Sequence, residues 1–237
     1  MSERRYLPLE RALDRLDEAD AALARTMAGL DDAALKAPSL CEGWTRAHVL
    51  GHLARNAEAL HRLTRRADTG EEVTAYPSAE TREADIERSA TQPAVRLRAD
   101  VTTASAALRA RLEHLRGRSD LSPVELGRSG MLAGDQVAWA RLREVTYHHV
   151  DLDAGFTFAD VPTEVLHAGL REAVDRLGAR PTSPSLTLVA SDGMRWHLGS
   201  GGPEVHGSPA GLLLWLTRGV QDGVQSARPL PSLPAWG

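Results

Sequence analysis

Residues 139–152 read WARLREVTYHHVDL. Glu144 and His148 are four apart, one turn above another on a helical face. Extended at four-three spacing, the stripe holds Val137, Arg141, Glu144, His148 and Asp151. It begins apolar and turns to carboxylate, imidazole and carboxylate. Ionisable groups on a buried seam are costly unless they are paired or coordinate a metal. The alternative is a solvated Glu–His pair on an exposed face. Two ligands on one helix leave at least one to be found elsewhere. The stretch HVLGH supplies a candidate: His48 and His52 are also four apart, and His52 falls beside the apolar face of Val49, Leu53 and Leu60. His48 lies nearer the polar edge. For either histidine the plain alternative is a hydrogen-bonded core or rim residue. A histidine on one bundle helix facing a Glu–His pair on another makes a bundle metal site. Two histidines and a carboxylate leave a position open for water, thiolate or substrate. Zinc is favoured, although such a set can also hold iron.

The rest of the chain supplies the other helices. Leu9, Leu13, Leu16, Ala19, Leu23, Met27 and Leu30 form one stripe of a long helix. Thr45 is a suitable N-cap for the helix carrying His52. Residues 68–78 break the pattern, Ile86 sits on a short helical piece, and Pro93 opens a longer helix carrying Leu97, Val101, Ala104, Leu108 and Leu115. Residues 117–133 read as loop with room for a strand, and residues 134–152 as the fourth long helix. A bundle buries four such stripes. Beyond Gly155 the pattern changes. A helix over 163–177 precedes short alternating segments at 186–190, 194–198 and 204–207, with Asp192-Gly193 as a hairpin signal. Ser208-Pro209 opens a last helix that runs through Arg218. The expected fold class is α+β: a helical bundle over residues 1–155, then a small α/β domain over 156–237.

The chain has 237 residues, enough for one large or two modest domains. A net charge of −4 gives no support to a nucleic-acid face. No apolar run approaches the roughly 20 residues needed to span a bilayer, and the opening MSERRYLPLE is no signal peptide. Cys41, the single cysteine, excludes an internal disulfide and a cysteine-based zinc knuckle. It precedes the second long helix, with no histidine–acid arrangement near it in sequence, and reads as structural. No nucleic-acid or membrane partner is expected, and a cytoplasmic monomer is.

The stretch SLCEGWTRAHVLGHLARNAEAL at 39–60, TGEE at 69–72, YPS at 76–78, TREADIE at 81–87 and ARLREVTYHHVDLDAG at 140–155 resembles the mycothiol-dependent maleylpyruvate isomerases of the DinB-like metalloenzyme superfamily. The likeness continues through VHGSPAGLLLWLTRG at 205–219 and DGV at 222–224. It implies a DinB-like four-helix bundle with metal ligands His52, Glu144 and His148. Arg218 matches a functional, substrate-binding arginine of the family's C-terminal segment, and Arg82 matches within TRE. Asp151 is placed to orient the His148 imidazole as a carboxylate behind the ligand. The family needs no cysteine where Cys41 stands. The implied partners are a small-molecule thiol, mycothiol, and a dicarboxylate, maleylpyruvate from gentisate breakdown. In the implied reaction a thiolate adds to the conjugated cis alkene, the bond turns while single, and the thiol leaves, giving fumarylpyruvate. A mycothiol S-transferase acting on another electrophile is the nearest alternative, and a non-catalytic metal- or thiol-sensing module a more distant one.

Overall fold

The computed structural model describes residues 6–126, 130–234 and 236. The chain divides into two compact units, Met1–Phe156 and Thr157–Gly237.

The first unit is built on α1 (Leu9–Ala28), the short α2 (Asp32–Leu35), α3 (Arg46–Thr69), α4 (Ala79–Ala90), α5 (Ala94–Glu113) and α6 (Val137–Asp151). Helix α1 packs on α5 and α6, and α3 packs on the same two, so four long helices close a ring. The stripe of α1 is buried at Leu9, Leu13, Leu16, Leu23 and Met27. Helix α3 buries Val49 together with Leu50, Leu53, Ala57, Leu60 and Leu63, the last five at the same three-and-four spacing. Truncating a fully buried leucine such as Leu53 costs about 2–5 kcal/mol in cores of this kind. Helix α3 stops at Gly70, whose left-handed φ of 74° lets its N–H reach Arg66 O. The segment between α5 and α6 carries a minimal antiparallel pair, β1 (Val124–Glu125) with β2 (Met131–Leu132). A 3₁₀ turn at Gly134–Gln136 then leads into α6, so the expected fourth helix begins as that tighter turn.

Helix α4 lies against α3 at a contact that only glycine permits. A Cβ on Gly51 would stand 2.8 Å from Ser89 Cβ and 3.2 Å from Ile86 O. The missing side chain lets the two helices approach closely, next to His52. Ser78 starts α4 by accepting the N–H of Thr81.

The second unit holds α7 (Thr163–Gly178), α8 (Pro209–Arg218) and a four-stranded sheet of order β4-β3-β5-β6. Strands β3 (Leu186–Ala190) and β4 (Arg195–Leu198) form the antiparallel hairpin expected from Asp192-Gly193, with Gly193 at φ 88°. Strand β5 (Glu204–Gly207) runs parallel to β3, and β6 (Val224–Ser226) pairs antiparallel to β5. Strand β6 was not expected from the sequence; its three residues are too few to display an alternation. Helix α7 packs on α8 and β4, while α8 packs on β3, β5 and β6. Among the described residues no helix is long and apolar enough to cross a membrane.

Candidate metal centre

Helices α3 and α6 bring three donors together. His52 Nε2 lies 3.0 Å from Glu144 Oε2, and His148 Nε2 lies 3.6 Å from the same oxygen. The two imidazoles meet edge to face, with ring centroids 4.5 Å apart. Neighbouring ligands of a tetrahedral ion with bonds of about 2.0–2.1 Å stand roughly 3.3 Å apart. The observed separations bracket that value, so the donor set fits a small divalent cation. His52 is 5% exposed, whereas the side chains of Glu144 and His148 each keep 17% of their surface open. His52 is therefore the buried member of the cluster, and its solvent-facing surface lies on Glu144 and His148.

Each donor is held from behind. Arg143 Nη2 donates to Glu144 Oε1 at 2.7 Å, which leaves Oε2 facing the histidines. His148 Nδ1 lies 2.8 Å from Asp151 Oδ2, and Asp151 is fully buried. A carboxylate on one ring nitrogen fixes the proton there and directs the lone pair of the other outward. Trp44 covers His52, with ring centroids 5.6 Å apart. Arg82 Nη2 stands 3.2 Å from His52 Nδ1, and its guanidinium lies 5.8 Å from the centre of the Tyr76 ring. Arg62 donates to Ala75 O through Nε at 3.1 Å and Nη2 at 2.6 Å, which ties the Tyr76 segment to α3.

The electrostatics follow from this crowding. Burial opposes the charge of Glu144, yet Arg143 and the two imidazoles outweigh it and hold the carboxyl well below the usual range. Burial lowers His52 to about 4, aided by repulsion from His148 and opposed by Glu144. Burial also works against a charge on His148, but its hydrogen bonds to Asp151, Cys41 and Glu144 raise it well above its ordinary value.

The structure thus gathers His52, Glu144, His148, Asp151 and Arg82 in one place. Arg218 belongs to the second unit, in the last turn of α8, where its Nη1 donates to Thr217 O at 2.8 Å. His48 is occupied elsewhere: its Nδ1 accepts the N–H of Thr45 at 3.2 Å and its Nε2 lies 3.2 Å from Glu87. His149 is buried, stacked on Phe156 at 3.7 Å and within 2.8 Å of Thr26 Oγ1. Arg143, Arg62 and Tyr76 were not singled out from the sequence. Only the Arg-Glu adjacency of 143–144 hinted at the first, and residues adjacent in a helix do not face each other.

A helical bundle with an open His–Glu–His cluster is the class that the fold and site define. The chain belongs to the mycothiol maleylpyruvate isomerase family: residues 16–153 match the family described as the mycothiol maleylpyruvate isomerase N-terminal domain. No curated protein matches the chain. Among solved structures it is similar to the crystal structure of the mycothiol-dependent maleylpyruvate isomerase, with a TM-score of 0.89, 30% identity and 100% coverage of both chains. A crystal structure of a histidine-to-alanine mutant of that enzyme gives the same values.

Proposed function

We propose that this protein is a metal-dependent enzyme that isomerises maleylpyruvate to fumarylpyruvate with mycothiol as the thiol partner. The carrying observation is the open donor set of His52, Glu144 and His148 in a chain similar end to end to that isomerase. Zinc is the metal the donors favour, because two imidazoles and one carboxylate at near-tetrahedral spacing suit it. When bound, the metal and mycothiol supply a Lewis acid and a nucleophilic sulfur that makes the alkene transiently single.

The chain's own residues do the remainder. Asp151 keeps the ring proton of His148 on Nδ1, so that Nε2 is free to ligate. Arg143 neutralises and orients Glu144. Arg82 donates to His52 Nδ1 while His52 donates from Nε2 to Glu144. Were His52 to ligate through Nε2, its proton would sit on Nδ1 and Arg82 would no longer donate there. Its guanidinium would then be available to a substrate carboxylate. Arg218 is the second cation assigned to a carboxylate, and the support for it is its place in the LTRG segment of the family pattern. Gentisate breakdown and a cytoplasmic, monomeric enzyme complete the reading.

Purified protein mixed with mycothiol and maleylpyruvate should lose the ultraviolet absorbance of the cis substrate at a rate proportional to enzyme, and should stall without the thiol. Stoichiometric consumption of mycothiol, with a thioether as product, would instead identify an S-transferase.

A further inference from the structure

Cys41 has a place in the site that its position in the sequence conceals. The loop between α2 and α3 is closed by an isolated bridge between Pro38 and Thr45 and by Ser39 N–H donating to Trp44 O at 2.9 Å. It is hung on the end of α6, because Leu40 N–H donates to Asp151 O at 2.9 Å. Arg46 adds a second tie, from Nε to Leu152 O at 2.6 Å. These contacts bring the thiol of Cys41 to 3.2 Å from Asp151 Oδ2, the same oxygen that faces His148 Nδ1 at 2.8 Å. Cys41 Sγ is 3.9 Å from His148 Nδ1, on the side of the ring opposite the Nε2 donor.

We infer that Cys41 is a positioning residue for the metal centre: its S–H holds Asp151, and Asp151 holds His148. The inference rests on His148 being a metal ligand. The physical reason lies in the burial of Asp151, which is 0% exposed. A buried carboxylate is fixed by the hydrogens directed at it, and each one that is lost leaves it freer to rotate. With the thiol in place, Oδ2 is held where it meets His148 Nδ1. Without it, that oxygen loses one donor, and the imidazole gains freedom about the axis that aims Nε2. A thiol donates weakly, so the effect belongs at the lower end of the range for groups standing behind a ligand. Serine has the same connectivity and a stronger donor, and should substitute.

The test uses the full chain with no thiol added. Zinc affinity is measured by competition with a chromophoric chelator, and the imidazole nitrogens of the metal-free protein are followed by long-range ¹H–¹⁵N NMR. Cys41→Ala should weaken zinc binding by about tenfold and should shift the His148 ring-nitrogen resonances away from those of the parent protein. Cys41→Ser should restore both readings, whereas a merely structural cysteine would alter the melting temperature alone. His148→Ala is the control: zinc binding that survives it would overturn the metal-ligand reading, and the role of Cys41 at the metal would fall with it. If His148→Ala abolishes binding while Cys41→Ala leaves the affinity and the His148 resonances unchanged, the role of Cys41 is refuted. A cobalt-loaded protein displaying thiolate-to-metal charge transfer would also overturn it, since the sulfur would then be a ligand, in the alternative grouping of Cys41, His148 and Asp151.

Discussion

At the scale of single residues, the choice between His48 and His52 decides the chemistry, and one turn of helix separates them. His52 Nε2 reaches Glu144, while His48 spends its Nδ1 on the N-cap of the helix that carries both. His52→Ala, Glu144→Ala and His148→Ala should each abolish stoichiometric zinc in metal analysis of purified protein. His48→Ala should keep the metal and lose about 0.5–1 kcal/mol of stability, as expected for a removed cap contact. Full zinc in the His52 variant with loss in the His48 variant would reverse the assignment. Arg218 calls for a different pair of substitutions. If it grips a substrate carboxylate, Arg218→Ala should retain zinc and lower kcat/KM at least about 30-fold, the lower edge of losing a buried charged contact. Arg218→Lys should rescue little, because an ammonium cannot replace a bidentate fork. The guanidinium also reaches the terminal carbonyl at Thr217 of its own helix. A purely capping residue would therefore accept lysine and affect the melting temperature alone.

At the scale of elements, α4 owes its position to Gly51. In an open helix, Gly→Ala stabilises by up to about 1 kcal/mol. Here the added Cβ would meet Ser89 Cβ at 2.8 Å and a backbone carbonyl at 3.2 Å. Overpacking of that kind costs about 1–3 kcal/mol, so the sign should reverse. Thermal denaturation of Gly51→Ala should give a lower midpoint than the parent protein, and an unchanged or higher one would mean that α4 moves freely. Because α4 carries Arg82 to His52, the same variant should disturb catalysis more than zinc content.

At the scale of the whole molecule, the three donors come from α3 and α6 of the first unit, so metal binding should act as a clamp between two helices of one bundle. A ligand present at 100 times its Kd stabilises by about 2.7 kcal/mol. Removing the metal with a chelator should therefore lower the melting temperature reversibly, with no such response in His148→Ala. Hydrogen exchange should place the lost protection in α3 and α6, and leave β3 to β5 unaffected. Loss of protection spread evenly over both units would contradict a clamp confined to the bundle.

What the sequence determined by itself is periodic. Three-and-four spacing set the four long helices, the Asp192-Gly193 turn set the β3–β4 hairpin, and the stripe 144–148–151 set a carboxylate, an imidazole and a second carboxylate on one face. Such patterns reveal neighbours within a helix; the spacing in HVLGH offered His48 and His52 as a third donor, and the family likeness pointed to His52. What only the tertiary structure decided is contact across helices and loops. His52 and Glu144 are 92 residues apart, and Cys41 and Asp151 are 110 apart. Spacing within a chain carries no term for which helix faces turn toward each other. A thiol therefore looked isolated until the loop at 38–45 was tied to the end of α6. Arg143 likewise gave no periodic signal, because it reaches Glu144 from the adjacent position, by the bend of a long side chain and not by helical phase. Packing chooses the rotamer, and packing is settled only when the whole bundle closes.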